Sequence, residues 1–262
     1  MVAPLETFDV ERVRRDPALT EQAWTIESLA ECGSTNTVLL DRIREGARHG
    51  TVLVAERQTG GRGRRGNVWR APPETSLTFS ALWRTGREPA LFGLAPLAAG
   101  IACVQALEGL GATGLQLKWP NDIMRAAAKL GGILVETATH GQDSAIVVGI
   151  GINLAGARAL SAELERPVAD TAEAGVQAGR EELLAAILNR LHRALGLFEE
   201  GCDGDLVQAW TRYDGLRGRP VRVTGAGPPM QGIARGIAAD GALRLDTAEG
   251  IRSVYAGEAS IA

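Results

Sequence analysis

Glu56-Arg57-Gln58-Thr59-Gly60-Gly61-Arg62-Gly63-Arg64-Arg65-Gly66-Asn67-Val68-Trp69 follows the apolar run Thr51 to Ala55, and its reading decides what kind of sheet this chain builds. Gly61-x-Gly63-x-x-Gly66 has the spacing of a dinucleotide fingerprint. That fingerprint requires a helix opening at its last glycine. Trp69-Arg70-Ala71-Pro72-Pro73 cannot supply one, because proline lacks an amide donor and its ring obstructs the preceding turn. A doubly wound nucleotide fold is therefore set aside, and the absence of any Gly-Lys pair removes the Walker loop as well. What remains is a glycine-spaced loop carrying Arg62, Arg64 and Arg65, whose planar forks match phosphate oxygens and whose glycines let the backbone approach a ligand closely. An exposed hairpin tip charged for solubility would have the same composition.

Working outward, Thr51 to Ala55 and Thr75 to Trp83 read as strands flanking this loop, rich in β-branched residues and bounded by Gly or Pro. Before them, a strand starting near Trp24-Thr25-Ile26 leads to Gly33-Ser34-Thr35-Asn36. Ser34 or Thr35 there caps a helix through Val38, Leu39, Leu40 and Ile43. After them comes a buried helix, Leu91 to Leu110, then strands at Leu115 to Trp119, Leu130 to Thr137 and Ser144 to Leu154. Asn121-Asp122, directly after Pro120, reads as a turn. Arg180 to Glu200 places Leu183, Leu184, Ile187, Leu188, Leu191, Leu195 and Phe198 at helical spacing, and Gly204 to Tyr213 adds a short helix. From Gly215 the texture changes to short strands at Pro220–Thr224, Met230–Ile237, Ala242–Asp246, Ile251–Tyr255 and Ala259–Ile261, the pattern of a small barrel.

The chain holds only two lysines, Lys118 and Lys129, while every other cation is arginine. Both flank turn signals, so they mark positions where a compact ammonium is used and a planar fork is not. With 262 residues and 45% hydrophobic content there is enough chain for one large domain and a small one. A net charge of −3 argues against broad nucleic-acid binding, though it leaves a local basic site open. Cys32, Cys103 and Cys202 are scattered and odd in number, as are His49, His140 and His192; neither a disulfide framework, a zinc site nor a Ser/His/Asp triad is expected, and a reducing compartment fits. The charged first thirty residues exclude a signal peptide or membrane anchor, and Leu91 to Leu110 is broken by Gly93, Pro96, Gly100 and Glu108, which argues against a membrane span.

Four motifs in order, the arginine loop, Lys118-Trp119-Pro120-Asn121-Asp122, Lys129-Leu130-Gly131-Gly132-Ile133-Leu134-Val135-Glu136 and Gly149-Ile150-Gly151-Ile152-Asn153-Leu154, resemble those of biotin protein ligases. The resemblance implies an α+β fold: a mixed-sheet catalytic domain of the biotin/lipoate ligase type, class II synthetase-like, over residues 1–214, followed by an SH3-like barrel over 215–262. It implies the chemistry as well. ATP and biotin, with Mg2+, give biotinyl-5′-AMP and pyrophosphate, and a lysine of a biotin carboxyl carrier domain then takes the biotin. A carboxylate that is already an anion needs no general base, so the protein's task is to offset charge where two anions meet and to exclude water from a mixed anhydride.

By the family's pattern, Ser34, Thr35, Asn36, Gln58, Gly61, Arg62, Gly63, Arg64, Lys129 and Gly132 hold biotin or its adenylate. Lys129, Arg62 and Arg64 form the catalytic set. Arg64, Arg65, Trp69, Lys118, Asn121, Asp122 and Asn153 build the nucleotide side, with Asp122 the candidate magnesium ligand. Trp69 can stack on adenine or fill the core, whereas Trp119 is expected in the core. The Gly149-x-Gly151 pair implies close backbone approach within a strand. Asn67 stands where the family's loop often carries another basic residue. About thirty residues precede Ser34, too few for the winged-helix repressor module of some relatives, so a cytoplasmic, homodimeric ligase without DNA or membrane binding is the expectation. A lipoate ligase, and a non-enzymatic protein that binds the adenylate as a transcriptional signal, are the alternatives.

Overall fold

The computed structural model describes residues 8–19, 24–140, 143–225 and 227–262. Its first half contains α1 (Val10–Arg14), β1 (Thr25–Cys32), α2 (Thr35–Arg44), β2 (Thr51–Gln58), β3 (Ser76–Thr85) and α3 (Ala95–Gly109). Then come β4 (Leu115–Lys118), β5 (Asp122–Arg125), β6 (Ala128–His140), β7 (Asp143–Asn153), α4 (Ala157–Leu164), α5 (Arg180–Glu200) and α6 (Asp203–Tyr213). The C-terminal strands are β8 (Pro220–Thr224), β9 (Met230–Ile237), β10 (Leu243–Thr247), β11 (Gly250–Val254) and β12 (Glu258–Ile261).

A seven-stranded sheet runs in the order β1-β2-β3-β7-β6-β5-β4. β1 and β2 are parallel and every other neighbour is antiparallel, so the sheet is mixed. The period-2 alternation of strands sorts its side chains. Leu53, Leu82, Ala145 and Val147 face one way and bury Leu39 and Ile43 of α2. Val52, Val54, Ala81, Trp83, Ile146 and Val148 face the other way, into the larger core built with α3 and α5. Full burial of a Leu or Ile such as Leu39 contributes about 1.5–3 kcal/mol, and this two-sided burial explains why the central strands read as continuous apolar runs.

Most predicted elements form within a residue or two of their expected limits. The Leu91–Leu110 segment differs: Pro89–Leu94 is a 3-10 turn, and the α-helix starts at Ala95 with Pro96 in its first turn, where no backbone donor is needed. This Pro89–Gly109 segment is long and apolar enough to cross a bilayer, yet it is mostly buried inside the protein. Asn121 does lie in a tight turn, its N donating to Lys118 O at 3.1 Å, but Asp122 already opens β5 and pairs with both Lys118 and Gly132. Helix α4 lies in a stretch for which no element was expected.

The C-terminal strands form a five-stranded antiparallel sheet in the order β11-β10-β9-β8-β12. Hydrogen bonding leaves β11 and β12 at its edges, so the expected barrel curls around Val221, Val223, Ala234, Leu243 and Leu245 without a closed ladder. Its junction is stitched to the large sheet: Gly215 N donates to Leu117 O at 2.9 Å, and the Asp214 carboxylate accepts from Leu216 N at 2.9 Å. Buried Trp119, as expected a core residue, donates through Nε1 to Gly241 O at 3.0 Å and ties β4 to the second sheet.

Candidate active site

The floor of the site is the α2-facing side of the sheet. Along β7 that face reads Ala145, Val147, Gly149, Gly151, apolar under the body of α2 and glycine where the helix ends. A Cβ on Gly149 would overlap the Asn36 amide, and one on Gly151 would overlap the Trp69 indole. The two glycines therefore make room for protein side chains that line the cleft. Trp69 lies against Gly151 with Lys129 Nζ 5.8 Å from its ring centre, and its buried Nε1 has no partner among the described residues.

At the N-terminus of α2 sits a neutral polar cluster. Thr35 N donates to Gln58 Oε1 at 2.8 Å. Ser80 Oγ lies 2.6 Å from Thr35 Oγ1 and 2.5 Å from Asn36 Oδ1, while Asn36 Nδ2 donates to Leu134 O at 3.1 Å and to Glu136 Oε2 at 2.9 Å. Ser34 occupies the cap position, but its hydroxyl makes no capping bond; the side chain is buried at the cleft.

The other end is cationic. Between β5 and β6 the register slips by one residue: Asp122 pairs with Gly132, Ile123 with Gly131, but Met124 with Lys129. Such a bulge re-aims side chains, and here it brings Lys129 to the face already holding Asp122 and Gly132. Lys129 Nζ bonds Asp122 Oδ1, and Lys118 Nζ lies 3.0 Å from Oδ2. Burial pushes the Asp122 carboxyl up, but the two ammoniums, led by Lys129, outweigh it and hold the group below its ordinary value. Asp122 is the expected magnesium candidate, through its carboxylate or through water; with an ammonium on each oxygen, the carboxylate does not fit direct coordination. Among the described residues there is also no cluster of three His, Cys, Asp or Glu that would hold a metal. The protein's own residues thus supply positive charge here and no cage for a cation.

The arginine loop folds back on itself. Gly63 N donates to Asn67 O at 2.7 Å and Trp69 N to Gly61 O at 3.0 Å, and Arg65 takes the left-handed conformation at φ 58°. Its arginines go to three places. Arg62 Nη2 reaches both oxygens of Glu136, at 2.7 and 2.6 Å. Arg64 Nη1 donates to Gly257 O at 3.2 Å, and Arg65 Nη1 to Thr224 O at 3.1 Å, so the C-terminal sheet holds the loop tip. Arg65 rests on Gly225, where a side chain would collide with its guanidinium. Burial, then the neighbouring Arg65, push the Arg64 guanidinium below its ordinary value, although arginine stays charged.

One cleft therefore gathers Ser34, Thr35, Asn36 and Gln58 at one end with Lys118, Asn121, Asp122 and Lys129 at the other; Arg62, Gly63, Arg64, Trp69 and Gly132 lie between them. Three expected site residues stand apart. Gly61 lines a neighbouring depression, where a Cβ would crowd Trp69 O; Arg65 points to the C-terminal sheet; and buried Asn153 spends its amide hydrogens on Lys129 O and Ala169 O, at 3.3 and 3.1 Å. Asn121 is also partly consumed, its Nδ2 donating to Ile133 O at 2.7 Å. Sequence reasoning missed Ser80, Glu136, Arg166 and Glu258, all of which contact or line this site. A carboxylate directly after the apolar run Ile133 to Val135, within a strand, was the visible signal for Glu136.

Residues 30–153 match the Biotin/lipoate A/B protein ligase family, and residues 217–261 match the Biotin protein ligase C terminal domain. The chain is 36% identical over 259 residues to the bifunctional ligase/repressor BirA of Salmonella typhimurium, covering 98% of this chain and 79% of that protein. It is 34% identical to the biotin–[acetyl-CoA-carboxylase] ligase of Mycobacterium tuberculosis, covering 89% and 87%. A biotin protein ligase from Aquifex aeolicus, solved in complex with biotin and ATP, superposes with a TM-score of 0.74 at 30% identity, over 91% of this chain and 98% of that one.

Proposed function

The chain belongs to the biotin/lipoate A/B protein ligase family and is a biotin protein ligase, and from that premise we propose how its residues share the two half-reactions. In the first, a biotin carboxylate oxygen bonds to the α-phosphorus of ATP, the bond from that phosphorus to the bridging oxygen breaks, and pyrophosphate leaves. In the second, a neutral lysine amine of a biotin carboxyl carrier domain attacks the acyl carbon, AMP leaves, and the amine's proton passes to solvent.

The observation that carries this reading is the polarity of the cleft: a neutral hydroxyl and amide end joined to an end with two ammoniums on one carboxylate. Ser34, Thr35, Asn36 and Gln58 take the ureido ring. Lys129 leaves part of its pairing with Asp122 to bridge the biotin carboxylate and the α-phosphate, with Arg62 and Arg64 offsetting charge from the loop. Trp69 packs along the acyl chain and adenylate, and Lys118 holds Asp122 in place. Asn153 acts by positioning, since both its amide hydrogens go to neighbouring carbonyls, and Asn121 gives one to Ile133 O and keeps the rest of its amide for the cleft. Magnesium, when bound, would accompany the ATP phosphates and offset part of their charge.

The domain boundary at 214/215, a homodimer and a cytoplasmic location complete the proposal. The test is incubation with ATP, magnesium, labelled biotin and a carboxylase carrier domain, read as pyrophosphate release and as label on the carrier. Pyrophosphate without carrier label leaves only the first half-reaction, and neither product refutes the reading.

A further inference from the structure

Glu136 lies mid-strand on β6, on the cleft face, and with Leu134 O it accepts from the Asn36 amide nitrogen. Asn36 gives one amide hydrogen to Leu134 O at 3.1 Å and the other to Glu136 Oε2 at 2.9 Å. Both acceptors lack a hydrogen, so the flipped amide would set its oxygen against a carbonyl and a carboxylate. Among the described residues Asn36 Oδ1 accepts from the Ser80 hydroxyl alone, at 2.5 Å, and keeps its second lone pair. Across the cluster Gln58 Oε1 accepts from Thr35 N at 2.8 Å, which fixes that amide in the opposite sense, with Nε2 as its remaining polar group. The neutral end thus has a set polarity: an acceptor at Asn36 and a donor at Gln58. A cyclic urea, a carbonyl flanked by N–H groups, matches it.

We infer that Glu136 is a positioning residue that fixes Asn36 as an acceptor and thereby sets the preference for a ring bearing N–H donors over a ring bearing none. This rests on the biotin reading above. A ring without N–H leaves the Asn36 oxygen with the Ser80 hydroxyl alone and its second lone pair desolvated without a donor, which disfavours that ring. The same carboxylate binds Arg62 at 2.6 and 2.7 Å, so loop closure and ring recognition share one anchor.

The experiment compares Glu136→Met and Glu136→Gln with wild type, measuring kcat and KM for biotin, KM for ATP, and the ratio of kcat/KM for biotin to that for lipoate, whose dithiolane has no N–H. Methionine cannot accept from Asn36. A biotin KM raised about 10-fold or more, kcat and ATP KM changed less than about 3-fold, and a fall of about 10-fold or more in the biotin/lipoate ratio is the expected result. Glutamine can present Oε1 to Asn36 and should keep the ratio within about 3-fold while losing the charge on Arg62. An unchanged ratio in Glu136→Met overturns the inference. So does an equal loss in both variants, which would assign the effect to the Arg62 ion pair. Should Glu136→Met not fold, Glu136→Ala, which also lacks an acceptor, takes its place: a fall of about 10-fold in the ratio supports the inference and an unchanged ratio overturns it. Failure of wild type to adenylate biotin would instead sink the functional reading itself.

Discussion

Replacing Asp122 by Asn removes the one anion that two ammoniums share and leaves every backbone contact of β5 possible. Lys129 and Lys118 sit on its two oxygens, with side chains 20% and 31% exposed and the carboxylate 13% exposed. Breaking a buried pair costs about 3–5 kcal/mol. Partial exposure of both lysines lets water take up some of the orphaned charge, which places the loss near the low end, about 3 kcal/mol. For a chain of this size that corresponds to a Tm lowered by roughly 6–12 °C. Anionic ligands should restore it. In wild type an adenylate phosphate must compete with Asp122 for Lys129, whereas in Asp122→Asn the ammonium is unpaired, so the ligand-induced rise in Tm should be larger in the variant. Thermal unfolding with and without pyrophosphate or AMP tests this directly. Equal ligand-induced shifts would refute the shared-anion reasoning, and an unchanged ligand-free Tm would refute the energetics. The sign with pH follows: the depressed carboxyl stabilises the native state fully above its unfolded value and loses that contribution as pH falls through its lower native value. Below about pH 4 wild type should therefore approach the variant.

Lys129→Ala should leave Tm within a few degrees of Asp122→Asn and lower adenylate formation by about 10²–10³ in kcat, the magnitude for loss of one preorganised charge contact; turnover at the wild-type rate would remove Lys129 from the chemistry. Lys129→Arg should recover little of this in the same assay, because the fork is larger and differently directed. Gly149→Ala forces the Asn36 amide aside, and should cost about 1–3 kcal/mol of stability in denaturant unfolding and raise the biotin KM; a wild-type KM would contradict the packing described. Arg65→Ala frees the loop tip from Thr224 O without touching the cleft, so single-turnover measurements should find faster escape of adenylate into solvent with kcat/KM for ATP little changed.

Strand order and helix positions were largely legible because β2, β3 and β7 bury both faces and α5 carries an unbroken apolar stripe. The loop was legible by exclusion, since Pro72 and Pro73 forbid the helix a dinucleotide fold needs. Less visible was β5, four residues long and opening right after Pro120-Asn121, where local chemistry favours a turn. The slip at Leu130 was invisible as well, because nothing in Lys129-Leu130-Gly131 distinguishes a bulged strand from a regular one, yet it decides which face Lys129 takes. Arg65 was assigned to phosphate on residue type, and its position on the C-terminal sheet depends on contacts 159 residues away in sequence. Glu136 stood in a motif without a role because the amide it orients lies 100 residues earlier.

The pairing of both lysines onto Asp122 bears on the catalyst's own survival. An acyl phosphate acylates amines, and both ε-nitrogens of this chain are engaged by the Asp122 carboxylate. The chain has no other lysine to offer. A ligase built this way makes a reactive electrophile while carrying only two side-chain amines of its own, both held on one carboxylate, and prolonged turnover should leave little amide-linked biotin on its side chains.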